Sequence, residues 1–327
     1  MRILGYIHTF NDEEVIDQSL QALRDQTYLL NEILLVDNGS TDGTLQRSFP
    51  KQVTIVRHPE NRGTSGAVVT GFRYAVEKHY DWIWVLDADS KPCADALQKL
   101  VDLYLGLPPI LQEQVWLLSS LPMEYPKWAL TSSASVRLAF FSGNEGPQPR
   151  HGVIFTRHGY ERVQPNPNQT AYEFHGSIWC GCLFKLKAIQ KVGFPEEDYF
   201  LDFGEYAYCY RGMRSGYKAF MHQSSLIHHN VTGLASVSFT PYRLGPISFK
   251  MIELAPVRCY YVVRNTLYFW LHEYHVRNFH TLIPRFFKIG MLTLNFLLRP
   301  LSHWSELSAC LRGAWDGLLK NMHKRYS

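Results

Sequence analysis

The sequence predicts an α/β fold on a mainly parallel sheet, and three observations carry that expectation. Short apolar runs alternate with amphipathic segments through the first hundred residues, the pattern of β-α units. Three of those runs end on polar, turn-forming residues: His8-Thr9-Phe10-Asn11, Asp37-Asn38-Gly39-Ser40-Thr41-Asp42-Gly43 and Asp87-Ala88-Asp89. A chain of 327 residues, 46% of them hydrophobic, is large enough to bury a sizeable core.

Taken in order, the strands expected are Ile3–Ile7, Ile33–Val36, Val53–Val56, Trp82–Leu86 and Val115–Leu118. Between the first two, Asn11 is suited to cap a helix whose first turn holds Asp12, Glu13 and Glu14 and whose apolar face includes Ile16, Leu20 and Leu23. Ser65 to His79 reads as a crossover helix. Pro92 is placed to start a third, with Leu97, Leu100 and Leu103 on one face. From Leu121 to Ser177 proline and glycine interrupt the pattern, leaving strands at Val136–Phe141 and Gly152–Thr156 in what reads as an insertion over the carboxyl edge of the sheet. Order returns with Ile178–Phe184, a helix near Lys187–Val192, a helix over Glu205–Ser215 and a strand at Lys218–Met221. The tail from Val257 reads as helical, rich in aromatic and basic residues.

The net charge of +4 is too small to indicate a nucleic-acid partner, but it is uneven. From Pro256 to Ser327 there are ten Lys or Arg against three Asp or Glu, so this tail carries +7 and the rest −3. A basic tail points to a membrane surface or an anionic partner. Phe286, Ile289, Leu294 and Leu297, flanked by Arg285, Lys288 and Arg299, form a face able to lie among lipid headgroups. Six cysteines without a C-x-x-C pair argue against a zinc knuckle or disulfide scaffold and for a reduced compartment. No signal peptide is evident, and the apolar run Ile289–Leu298 is about half the length of a membrane span. The expected location is therefore cytoplasmic, with peripheral contact at the inner face of the plasma membrane.

Open α/β sheets bind ligands at the carboxyl ends of their strands, so the three polar strand ends are the first place to seek chemistry. Asp87 and Asp89 lie at the mouth of Trp82–Leu86, where two carboxylates can face a divalent cation. Singly, each segment also reads as a turn or cap; together they converge on one edge.

In this order the chain resembles the family-two nucleotide-sugar glycosyltransferases. The matching segments are Phe10-Asn11, Leu35 to Gly43, Asn61-Arg62-Gly63 with Ser65-Gly66-Ala67, Leu86 to Pro92, Trp179 to Phe184 and Gly193 to Arg211. The resemblance implies a GT-A type, mainly parallel sheet with flanking helices. Residues 1–120 form its Rossmann-like nucleotide-sugar-binding half and 121–255 its acceptor-side half, with a helical basic region over 256–327. It implies that Asp37 reads the nucleobase, that Thr9, Asn11 and Arg62 hold the nucleotide, and that Asp87 and Asp89 bind the sugar diphosphate through Mg²⁺ or Mn²⁺. Glu205 aligns with the catalytic base, with Asp202 as the fallback. A metal-binding histidine is expected in Leu226-Ile227-His228-His229, where alternation lets one ring face the site; His228 is preferred by register over His229. Trp179 stands on the acceptor-side strand. Tyr260-Tyr261-Val262-Val263-Arg264-Asn265 and Gly313 to Leu318 are similar to the tails of rhamnosyl- and galactofuranosyltransferases, which places Arg264 among substrate-binding residues.

The residue types suit the reaction independently of the family. Displacing a nucleoside diphosphate from an anomeric carbon builds charge on the leaving phosphate, and a carboxylate on the other side must take the acceptor hydroxyl proton. The expected activity is inverting transfer from a nucleotide-sugar donor, which the resemblance implies to be dTDP-rhamnose, to a glycan or lipid-linked saccharide. Alternatives are a UDP-sugar donor, galactofuranose or a hexose, and a non-catalytic sugar-nucleotide or glycan-binding module. A nucleotidyltransferase would need a Gly-rich basic loop after the first strand, and a P-loop enzyme its G-x-x-x-x-G-K-S/T; neither occurs.

Overall fold

A computed structural model describes residues 1–124, 148–156, 159–229, 238–244, 247–274, 286, 289–290 and 304–323. The expected strand Val136–Phe141 and most of the expected lipid-facing segment, including Leu294, Leu297, Arg285, Lys288 and Arg299, lie outside them.

The amino-terminal strands are those the apolar runs predict, each a residue or two longer: β1 Ile3–Thr9, β2 Glu32–Asp37, β3 Val53–Arg57 and β4 Trp82–Asp87. They pair in parallel in the order β4-β1-β2-β3. Helices α1 (Ile16–Arg24), α2 (Gly63–Glu77) and α3 (Ala96–Gly106) connect them to one another and to the following strands. After β5 (Ser90–Pro92) and a short α4 (Pro109–Gln114) comes β6 (Val115–Glu124). The insertion supplies β7 (Gln148–Pro149), β8 (Val153–Thr156), β9 (Gly159–Arg162) and β10 (Ala171–Phe174). Then follow β11 (Cys182–Lys185), α5 (Leu186–Val192), α6 (Gly204–Arg214) and β12 (Lys218–His229). A separate hairpin joins β13 (Ser238–Leu244) to β14 (Ile247–Glu253).

The large sheet runs β10-β12-β6-β11-β4-β1-β2-β3, with β5 attached to β12 and β7 to β6. It is mixed: β11 is antiparallel to both β4 and β6, whereas β12 is parallel to β6. One core layer includes Tyr6, Phe72, Trp116, Phe184 and Tyr208, and the other Ile7, Leu20, Trp84, Leu97 and Leu183. A third core joins α7 (Pro256–Tyr268) to α8 (Trp304–Leu318) through Cys259, Tyr260, Val263, Leu307 and Cys310. These two helices approach so closely that a Cβ on Gly313 would strike the Tyr260 carbonyl, and one on Gly317 would lie 2.6 Å from the Arg264 carbonyl.

Three expectations about helix and strand starts are corrected. Asn11 does not cap α1: it sits in the left-handed region at φ 58°, its side chain accepts from the Thr41 N–H, and a turn over Asp12–Val15 precedes the helix. Pro92 ends β5 rather than opening α3, because its segment is drawn into pairing with β12. The acceptor-side strand expected over Trp179–Phe184 starts only at Cys182; Gly181, at φ 80°, turns the preceding residues out of the sheet.

Candidate active site

Register brings the polar strand ends together. Thr9 lies beside Asp37 across β1 and β2, and His8 beside Asp87 across β1 and β4. They border a cavity of about 310 Å³ at the carboxyl edge of the parallel strands. Its wall includes His8, Asp12, Asn38, Asn61, Asp87, Asp89, Arg150, Trp179, Asp202, Glu205, His229 and Arg258.

The carboxylate pair expected after β4 is on that wall, and a histidine completes it. His229 Nε2 lies 3.2 Å from Asp89 Oδ1 and 3.6 Å from Asp87 Oδ2. His8 Nε2 approaches Asp87 from the β1 side at 3.5 Å. Burial holds the His8 imidazole down at about 4, so it is neutral near pH 7 and this contact is not an ion pair. Burial pushes Asp87 up to about 7, with Asp89 and Glu205 adding repulsion and His229 opposing it. Asp87, His229 and the thiol of Cys180 place ligand atoms within 4.8 Å of one another. Two sunken carboxylates with an imidazole between them form a donor set that suits a hard or borderline divalent cation, which would also relieve their mutual repulsion.

His229, and not His228, is the ring at this site. His228 Nε2 points instead to Cys93 Sγ at 3.6 Å. The physical reason is an irregularity in β12: His222 pairs with Ser120 and Leu226 with Leu121, so β12 advances four residues where β6 advances one. An odd excess of three reverses the alternation. Pairing of His229 with Ser90 then seats the ring beside Asp89.

Glu205 stands in the first turn of α6, also on the cavity wall. Burial pushes its carboxyl from 4.5 up to about 7; its own backbone N–H pulls it down, Asp202 raises it, and Arg150 and Arg258 lower it. Asp202 and Phe203 both occupy the left-handed region, at φ 60° and 67°, a strained entry to a helix for residues with side chains. The chain is fastened there from α7. Asn265 Nδ2 donates to the carbonyls of Leu201 (2.6 Å) and Asp202 (2.8 Å), while Arg258 Nη2 meets Asp202 Oδ1 at 3.2 Å.

Arg264, expected at the substrate, is elsewhere. It is fully buried, donating to the carbonyls of Asp198, Met322 and His323 and, through Nε, to Asn265 Oδ1. It works by positioning: it ties the 198–202 segment and the end of the chain's described part to α7. Tyr260 and Tyr261 lie under its guanidinium in the helix-pair core.

Thr9, Asn11, Asp37 and Arg62 are near the cavity but not on its wall. Thr9 donates to Asp12, Asp37 is buried with Arg57 Nε at 3.3 Å and the Ser40 N–H against it, and Arg62 pairs with Glu197. Trp179 does line the cavity, and its buried indole N–H has no hydrogen-bond partner among the described residues. Residues that sequence reasoning did not single out are Asp12, Asn38, Asn61, Arg150 and Arg258. Asn38 and Asn61 lie inside expected segments and Asp12 beside one, so all three were within reach. Arg150 and Arg258 arrive from the insertion and from α7, and nothing local marks them.

Residues 6–112 match the family model Glycosyl transferase family 2. Over 107 residues this chain is 31% identical to undecaprenyl-phosphate mannosyltransferase of Micrococcus luteus, a match covering 31% of this chain and 44% of that protein. A longer match, 23% identical over 218 residues and 65% of each chain, is to galactofuranosyltransferase GlfT1 of Mycobacterium tuberculosis. The chain spans about two fifths of the length of the first curated relatives it matches. The likeness of fold extends beyond the residues that match the family model. GalNAc-T7 with UDP, GalNAc and Mn²⁺ aligns to 98% of this chain and 56% of its own at 14% identity, with a TM-score of 0.59. The mannosyltransferase PcManGT of Pyrobaculum calidifontis with GDP-Man and Mn²⁺ aligns to 95% of this chain and 73% of its own at 16% identity and a TM-score of 0.50. The architecture is thus GT-A-like, with helices appended at its carboxyl end.

Proposed function

We propose that the chain transfers a sugar from a nucleoside diphosphate to a hydroxyl of a glycan or lipid-linked saccharide, with inversion at the anomeric carbon. One observation carries this: Asp87, Asp89 and His229 share a cavity with Glu205, so a site suited to a metal diphosphate and a base suited to a hydroxyl proton border the same space. Asp87, Asp89 and His229 would hold Mg²⁺ or Mn²⁺, which when bound offsets charge on the leaving diphosphate. Glu205 accepts the acceptor proton, and its raised pKa keeps the carboxylate basic enough to do so near neutral pH. Arg150 and Arg258 add positive charge on the wall next to it. The nucleoside is assigned to the side bounded by Asn38 and Asn61, next to Asp37, with Trp179 toward the acceptor.

The first donor to test is dTDP-rhamnose, on the motif resemblance. Tyr260, Tyr261, Arg264 and Asn265 contribute to that resemblance but are not on the cavity wall, so they do not bear on the sugar. The 218-residue match to a galactofuranosyltransferase favours UDP-galactofuranose as the second reading.

Purified protein should release nucleoside diphosphate from one member of a nucleotide-sugar panel only with Mn²⁺ or Mg²⁺ and an acceptor. His229→Ala should weaken Mn²⁺-dependent donor binding by about tenfold or more, with His228→Ala close to the parent. Donor binding indifferent to chelation, or lost equally in both variants, would remove the metal assignment. Binding without turnover for any acceptor would leave a sugar-nucleotide-binding module.

A further inference from the structure

Helix α8 has two unlike faces. Leu307, Ala309, Cys310, Gly313, Asp316 and Gly317 are buried, and this side packs on α7, with Tyr260 donating to Asp316 at 2.7 Å. On the other side Trp304, Leu311 and Trp315 are 59%, 56% and 66% exposed, and Leu318 and Leu319 are 44% and 60% exposed. At 3.6 residues per turn the four helical members fall in a stripe about 60° wide. Isolated exposed apolar residues need no account, but a stripe with two tryptophans does.

We propose that this stripe is a membrane-docking surface that seats α8 in the headgroup layer of an anionic bilayer. The occupant is argued from chemistry on the same helix and around it. Tryptophan joins a large apolar ring to an N–H donor, which suits the boundary between acyl chains and water. Arg312 and Lys320 are exposed near the stripe, and the region from Pro256 onward carries +7 in sequence, of which the buried Arg264 and the Asp202-paired Arg258 are not at this surface. That charge complements anionic headgroups. The surface is distinct from the face expected from sequence, which centred on Phe286 to Leu297, and it does not depend on which reaction the cavity performs. Among the described residues no helix is long and apolar enough to cross a membrane, so this helix would lie on the bilayer.

The test uses the full chain with phosphatidylcholine vesicles, with and without phosphatidylglycerol. Binding should be at least about tenfold tighter to the anionic vesicles and should weaken in high salt. Lipids brominated in the acyl chains should quench the protein's tryptophan emission. Trp304→Ser combined with Trp315→Ser should lose about tenfold or more in partitioning with its melting temperature nearly unchanged, and Leu319→Asp, just past the helix, should weaken binding by a smaller factor. The proposal fails if the parent does not bind vesicles, or if both variants bind as the parent does. It fails equally if the parent is a concentration-dependent dimer that the tryptophan variant dissolves, since a second copy would then cover the face.

Discussion

On one side of the cavity, Asp87 and Asp89 stand at the mouth of β4 and are placed by the strand that carries them. On the other, Glu205 follows two left-handed residues, and its approach is held by Asn265 and Arg264 from some sixty positions further along the chain. The first arrangement needs only the sheet. The second needs the helix pair α7 and α8 to be docked, so side chains remote in sequence govern the geometry of the candidate base. The difference teaches that the two halves of one site can fail separately.

Glu205→Gln should produce the largest effect on turnover, a loss of about 10²–10⁴-fold with donor binding nearly intact, because a proton acceptor matters in the transition state. If Asp202→Asn is the dead variant and Glu205→Gln is not, the base has been placed on the wrong residue. Asn265→Ala should come next: kcat is expected to fall about tenfold to a hundredfold while the donor KM holds, since its amide fixes the acid-bearing loop and touches nothing on the nucleotide side. A rise in donor KM with kcat preserved would collapse the contrast between the two walls.

The smallest effect is a pH signature. Because Glu205 must be ionised to accept a proton, kcat/KM for the free enzyme should rise with pH through about 7. Stability has the opposite sign: with the folded value raised from 4.5 to about 7, the folded state holds a proton that the unfolded state has released, so stability declines as pH climbs through this window. Glu205→Gln should make that decline shallower in a series of denaturant titrations, leaving the part contributed by Asp87 and Glu273, which burial also pushes up to about 7. A parent profile flat across the window would show that Glu205 is not buried as described.

Much of the first wall was legible from sequence because its signals are local. An apolar run followed by Asp87-Ala88-Asp89 specifies a strand and the residues at its mouth, and parallel β-α units put successive mouths on one edge. Glu205 was legible through motif order. What escaped has a physical cause in each case. Choosing between His228 and His229 required knowing the irregularity after His222, which no period-two count reveals. Arg264 looked like a ligand-binding cation because a sequence does not show that a guanidinium will be consumed by three backbone carbonyls. Arg150 and Arg258 belong to segments without local chemistry and reach the cavity only through tertiary folding.

The pairing of β5 with β12 also bears on how the molecule comes into being. Ser90 and His229 are neighbours in the sheet yet 139 positions apart in the chain, a contact whose loop closure is costly and therefore late. During synthesis, the segment matching the family model is complete at residue 112, when both aspartates exist but His229 and Glu205 do not. A nascent chain at that stage presents an acidic sheet edge without its imidazole and without the opposite wall. On the proposed reading, the metal-diphosphate wall would be complete only after β12 has entered the sheet, and the wall bearing Glu205 only after α7 has docked, so a half-made polypeptide holds neither in full.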